Sequence, residues 1–145
     1  MISNALELLR KYYGYESFRN GQEEIINNIL MHKDVLAIMP TGGGKSICYQ
    51  IPAMILDGIT IVISPLISLM KDQVDTLKQL NIPSAFINST LSLSELKNVI
   101  YEAENNKYKL LYVAPERLES ESFIELIKNI KISMIAVDEA HCVSQ

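Results

Sequence analysis

Val35-Leu36-Ala37-Ile38-Met39-Pro40-Thr41-Gly42-Gly43-Gly44-Lys45-Ser46 is an apolar run that ends in three consecutive glycines and a lysine–serine pair. An unalternated run of this kind suits a strand covered on both faces. Glycine reaches backbone conformations that other residues resist, so the N–H groups that follow the strand can converge on one point. Such a nest of donors, with the positive end of a helix behind it, suits phosphate oxygens. Lys45 adds a point charge for the β- and γ-phosphates, and Ser46 a hydroxyl for Mg²⁺. The strict spacing GxxxxGK followed by Ser or Thr is not met, because Met39 stands at its first glycine. The shorter form PTGxGKS is met. A glycine-rich turn that binds nothing is the plainer alternative, and the joint placement of run, loop, Lys-Ser and helix argues against it.

Downstream the rhythm repeats. Residues 59–63, 84–87, 110–113 and 132–137 are further apolar runs, each parted from the next by a helix-like stretch. With residues 35–39 they predict five strands of a parallel sheet sandwiched by helices, an α/β fold joined by right-handed crossovers. Ser64-Pro65 predicts a capped helix start, Ser92 with Glu95 a capping box, and Pro52 a kink in the helix after Lys45. Upstream, Asn4 is expected to cap a helix with Glu7 as its partner and Leu6, Leu9 and Tyr13 as its apolar repeat, ended by Gly14. Asn20 is expected to cap a second helix, with Glu23 as box partner and Ile25, Ile26, Ile29 and Leu30 as its apolar face. Residues 1–31 thus form a helical preface to residues 32–145.

Asp138-Glu139-Ala140-His141 follows the last apolar run. Ligands of open parallel sheets gather at the carboxyl ends of the strands, so these acids are expected on the same rim as the glycine-rich loop. Asp138 would hold Mg²⁺, directly or through water, and Glu139 would orient and deprotonate an attacking water. An acidic helix start is the alternative. His141 reads either as part of the site or as a hydrogen-bonded structural residue.

A length of 145 residues with 48% hydrophobic and 21% charged content describes one soluble globular domain. No apolar run approaches the ~20 residues of a membrane span, and a secretory start is absent, so the chain is expected in the cytosol. Cys48 and Cys142 lack metal-ligand spacing and read as reduced structural thiols, with no zinc site in this segment. The net charge of -4 argues weakly against a nucleic-acid partner, because a local groove decides such binding more than the total does.

The order of motifs is more telling than the totals. Tyr13-Gly14-Tyr15-Glu16-Ser17-Phe18-Arg19-Asn20-Gly21-Gln22 precedes PTGGGKS. Ser64-Pro65-Leu66-Ile67-Ser68-Leu69-Met70-Lys71-Asp72-Gln73, Ala114-Pro115-Glu116-Arg117-Leu118 and DEAH with Cys142-Val143-Ser144-Gln145 follow it. Over nearly the whole chain this order closely resembles RecQ-type DNA helicases of superfamily 2. DEAH is shared with RNA helicases and other translocases; the upstream FRxGQ and the SPLISLMKDQ stretch discriminate further.

The resemblance implies a RecA-like P-loop NTPase fold, here a first lobe incomplete at its C-terminal end. It implies an adenine pocket with Tyr15 stacking on the base, Gln22 reading its edge and Arg19 supporting the nucleotide. Thr41, Gly42, Gly43, Gly44, Lys45 and Ser46 would hold the phosphates, and Lys45, Asp138, Glu139 and His141 would serve catalysis. Tyr13 and Asn20 stand where phenylalanine and proline are common in the family. Ser64, Lys71 and Gln73, then Asn88, Ser89 and Thr90, then Arg117 resemble its DNA-contacting motifs, although a cap, a solvated face and a turn account equally for several of them.

The implied activity is ATP hydrolysis driving 3′-to-5′ translocation on single-stranded DNA and displacement of the opposite strand, with roles in DNA repair and recombination. The implied partners are single-stranded and partly duplex DNA and a second RecA-like lobe; the implied place is the nucleoid or the nucleus. The 145 residues alone are expected to bind ATP·Mg²⁺ weakly at best and to unwind nothing. An RNA-remodelling or duplex-translocating ATPase, and a noncatalytic nucleotide-binding piece, are the other readings.

Overall fold

The computed structural model describes residues 2–37 and 44–138, arranged in two compact units, Met1–Leu56 and Asp57–Gln145. In the first unit, α1 (Ile2–Leu8) widens into a π-helical turn, Leu9–Tyr13, closed by Gly14 at φ 74°. Then come α2 (Gln22–Leu30) and α3 (Lys45–Ile55). Ala5 and Leu9 repeat at i and i+4, as do Ile26 and Leu30; all four are buried with Ile51 in one cluster, against which Tyr13 and Phe18 pack.

Two expected caps are corrected. Helix α1 already runs through Asn4. Helix α2 takes Gly21, at φ 86°, as its N-cap residue in place of Asn20. A turn in which the Gln22 N–H donates to the Arg19 carbonyl at 3.1 Å leads into α2 and leaves Asn20 exposed and outside the helix. The strand expected at residues 35–39 is not formed over its described part. Residues 35–37 are irregular and exposed, Leu36 at 87%, because an apolar run becomes a strand only where a neighbour pairs with it. The rest of that run, residues 38–39, lies outside the described residues. Helix α3 contains Pro52, whose carbonyl accepts from the Leu56 N–H at 2.8 Å.

The second unit holds a four-stranded parallel sheet in the order β2-β3-β1-β4. Its strands are β1 (Ile59–Ile63), β2 (Ser84–Ile87), β3 (Leu110–Val113) and β4 (Ile132–Val137), all at the expected bounds. Helices α4 (Ile67–Gln79), α5 (Leu93–Glu104) and α6 (Glu121–Lys128) fall between successive strands.

The inner strands β1 and β3 bury every residue except the half-buried Ile63, as unalternated runs require when both faces are covered. Ile61 lies opposite Leu111 on one side and Ile135 on the other. Each fully buried Ile or Leu of this sheet contributes about 1.5–3 kcal/mol, whereas exposed ion pairs such as Lys131–Asp57 add little, so apolar burial holds the unit together. At the outer strand β4 the burial fails: Ile135 is 60% and Val137 50% exposed.

Helix α4 begins after Leu66 without a side-chain cap. The Ser64 hydroxyl instead accepts from the Leu66 N–H at 3.3 Å and holds the turn ahead of it, which corrects the expected cap. The box at α5 forms as expected. The Ser92 hydroxyl accepts from the Glu95 N–H at 3.2 Å, and the Glu95 carboxylate accepts from the Ser92 N–H at 2.9 Å.

That backbone N–H, followed by the Ser92 hydroxyl, holds the Glu95 carboxyl below its ordinary value. Ser92→Ala is expected to lower the urea-unfolding free energy by about 1 kcal/mol. A depressed carboxyl stabilises the fold above its unfolded pKa and loses that contribution as pH falls through the folded one. Glu95→Gln should therefore flatten the acid limb of a stability–pH profile, and an unchanged limb would refute that origin.

Candidate functional site

In the first unit, the start of α3 faces an open hollow of roughly 310 Å³ lined by Tyr15, Arg19, Gly44, Lys45, Ser46 and Ile47. Two cationic side chains and a helix N-terminus meet there, an arrangement that favours an anion. Tyr15 is 49% exposed and adds an aromatic face. Five sequence-predicted residues, Tyr15, Arg19, Gly44, Lys45 and Ser46, thus share one hollow with Ile47. Thr41, Gly42 and Gly43 lie outside the described residues.

Gln22 does not line the hollow. It is 2% exposed and spans two backbone groups: its Oε1 accepts from the Arg19 N–H at 2.7 Å, and its Nε2 donates to the Gly44 carbonyl at 3.0 Å. Gly44 sits at φ 77°, and a Cβ there would fall on the Gln22 Nε2. A residue without a side chain is required twice over, by the left-handed backbone and by the amide pressed against it. Cys48 points its thiol at the same carbonyl, at 3.9 Å, and burial pushes that thiol up to about 11, so it stays protonated and inert.

Sequence reasoning did not find one further contact of this unit: the Tyr13 hydroxyl donates to the Gln50 Oε1 at 2.6 Å, across 37 residues of sequence. No spacing rule announces such a pair.

In the second unit, the sheet order places the residues after the strands along one rim, Asn88 after β2, Ala114 after β3, Ser64 after β1 and Asp138 after β4. Backbone bonds tie the rim together: Ala114 N–H to Ile87 O at 3.0 Å, Ser64 N–H to Val113 O at 3.2 Å, and Asp138 N–H to Ile63 O at 2.9 Å. Asp138 is 7% exposed. Glu139 and His141 lie outside the described residues.

The candidate DNA contacts divide by exposure. Asn88, 1% exposed, organises a turn: its Oδ1 accepts from the Thr90 N–H at 2.9 Å and hydroxyl at 2.6 Å, its Nδ2 donates to the Met70 sulfur at 3.6 Å, and its carbonyl accepts from the Arg117 guanidinium at 3.2 Å. Ser64 is likewise buried, at 1%. Ser89 and Thr90 are exposed and Arg117 is half-buried. Lys71 is exposed and donates to the Asp75 carboxylate at 2.9 Å, which raises its pKa. The Gln73 Oε1 is buried with no hydrogen-bond partner among the described residues.

Comparison with known proteins places these units in context. The family model described as DEAD/DEAH box helicase matches residues 19–145. The chain is 52% identical over 146 residues to the ATP-dependent DNA helicase RecQ of Bacillus subtilis, covering 100% of this chain and 25% of that protein. It is 52% identical over 141 residues to the protein of the same name from Haemophilus influenzae, covering 97% and 23%. It is 43% identical over 143 residues to the ATP-dependent DNA helicase Q-like 5 of Arabidopsis thaliana, covering 98% and 16%. The chain therefore spans about a quarter of the length of its bacterial relatives.

The crowding at Gly44 is directly testable. Gly44→Ala is expected to cost about 1–2 kcal/mol from the backbone alone, and more from the collision with Gln22. In a Gln22→Ala background the same substitution should cost less. Strict additivity of the two changes in urea unfolding would show that the amide is not what excludes a side chain.

Proposed function

The chain belongs to the DEAD/DEAH box helicase family, and from that premise we propose that it is the ATP-binding first lobe of a RecQ-like DNA helicase. The observation that carries this reading is the single hollow that gathers Tyr15, Arg19, Lys45 and Ser46. Tyr15 offers a face for adenine, and Arg19 a cation for the nucleotide. Gln22, buried behind the hollow, braces the Arg19 and Gly44 backbone groups in place of the base-edge contact that the family resemblance implies. Residues 41–46 hold the phosphates, Lys45 neutralising the developing charge.

Ser46 would offer a hydroxyl to Mg²⁺, and Asp138 would offer it a carboxylate, directly or through water. One hydroxyl and one carboxylate suit this ion, which keeps several waters of its own. Held by these groups, the ion would supply charge screening for the phosphates. Glu139 positions and deprotonates the attacking water, with His141 beside it in sequence.

Residues 1–31 form the helical segment with the base-recognition motif, and residues 32–145 the first RecA-like lobe. Single-stranded DNA lies against the strand-end rim. Ser89, Thr90, Lys71 and Arg117 supply hydroxyl and cationic contacts, while Asn88, Ser64 and Gln73 shape or support that rim. A second RecA-like lobe, in sequence beyond the quarter shared with the relatives, supplies an arginine finger, and closure and opening of the two lobes drive 3′-to-5′ movement. No helix among the described residues is long and apolar enough to cross a membrane, and a DNA motor of this kind works in the cytoplasm on the nucleoid, or in the nucleus.

In a longer protein carrying this chain, ATPase activity should rise with single-stranded DNA more than with RNA. Lys45→Ala should lower it at least about 100-fold. Stimulation by RNA alone would redirect the reading to an RNA-remodelling ATPase, and normal hydrolysis by Lys45→Ala would remove the phosphate-loop assignment. The 145 residues by themselves should displace no strand.

A further inference from the structure

The segment that carries Tyr15 and Arg19, residues 14–21, is fastened at both ends to the helix that presents Lys45 and Ser46. At its far end the fastening is Gln22, whose amide joins the Arg19 N–H to the Gly44 carbonyl. At its near end it is Tyr13, whose hydroxyl reaches the Gln50 Oε1 at 2.6 Å. Gln50 is 8% exposed and stands on α3, one and a half turns beyond Lys45.

The backbone is shaped for the near fastening. Helix α1 opens into the π-helical turn Leu9–Tyr13, and Gly14 closes it in the left-handed region at φ 74°, its N–H donating to the Arg10 carbonyl at 3.2 Å. A π turn is rare and recurs at functional sites. Here the residue it delivers to α3 is Tyr13, and the chain then turns at once into Tyr15. Arg10 also donates to the Glu16 carbonyl at 3.1 Å, so the first residues of the segment are held from α1 as well.

We propose that Tyr13 is a positioning residue for the nucleotide base: its hydroxyl, through Gln50, fixes Tyr15 at a set distance from the phosphate-binding start of α3. The role rests on the adenine-pocket reading of the hollow. A merely structural tyrosine would influence base and phosphate binding alike, because loosening α3 disturbs Lys45 and Ser46 too. A positioning tyrosine influences only the part of the affinity that comes from the base.

Calorimetric titration of the 145-residue chain with ATP, and separately with inorganic tripolyphosphate, both with Mg²⁺, distinguishes the two roles. Tyr13→Phe removes the hydroxyl and keeps the ring. It should weaken ATP binding roughly 3- to 10-fold, the worth of one hydrogen bond, and leave tripolyphosphate binding within about twofold. Gln50→Leu should give the same selective loss, and the double variant no more than either single one. Equal weakening toward both ligands, or unchanged ATP binding by Tyr13→Phe, would overturn the proposal while leaving the nucleotide site intact. A wild-type chain that binds tripolyphosphate as tightly as ATP would remove the base pocket and this role with it.

Discussion

The Gln22 amide joins two backbone groups, the Arg19 N–H at 2.7 Å and the Gly44 carbonyl at 3.0 Å, while only 2% of the residue is exposed. A buried amide left without partners costs about 1–3 kcal/mol, so neither bond is readily given up. The first of these groups precedes α2, and the second immediately precedes Lys45 and Ser46. One side chain therefore sets how far the Arg19 backbone stands from the beginning of α3. The glycine at position 44 follows from the same constraint, because the amide occupies the space a Cβ would take. A spacing that looks like motif grammar in the sequence is, physically, the length of a glutamine.

The second unit is organised by a different necessity. Two inner strands of uninterrupted apolar residues need cover on both faces, and the helices between successive strands supply it. Once the order β2-β3-β1-β4 is fixed, the residues that leave each strand emerge along one rim in a defined sequence. Chemistry at that rim depends on turns that are themselves held tightly. Asn88 uses both ends of its amide and its own carbonyl to secure Met70, Thr90 and Arg117. The exposed groups beside it, Ser89 and Thr90, inherit a fixed placement from a residue that solvent hardly reaches.

The four described strands were legible to the residue, because an apolar run bounded by polar turns carries its period and its ends in one signal. The box at Ser92 and Glu95 was legible for the same reason, being complete within four residues. The caps at Asn4 and Asn20 were not. Whether a residue caps a helix depends on its backbone dihedrals, and Gly21 in the left-handed region ahead of Gln22 leaves Asn20 outside the helix. The run from residue 35 has the composition of a strand, yet Val35 and Leu36 stand exposed, since pairing is supplied by neighbours and not by composition. Around the hollow, Gly44, Lys45 and Ser46 were named from motif spacing, and Tyr15 and Arg19 from the family resemblance. The braces behind them, Gln22 to Gly44 and Tyr13 to Gln50, join positions 22 and 37 residues apart, beyond what any local pattern encodes.

Strand β4 carries a consequence of another kind. Among the described residues it pairs on one side only, with β1, and Ile132–Val137 holds no charge and no proline to discourage a newcomer. Natural sheets blunt such borders with lysine, proline or a bulge placed toward solvent. Of those devices β4 has only the last: its ladder with β1 skips Ser133 between Ile59 and Thr60, an irregularity that precedes the exposed Ile135 and Val137. Protection of that border is thereby left to a local irregularity of the backbone, with no charge in the strand to share the task.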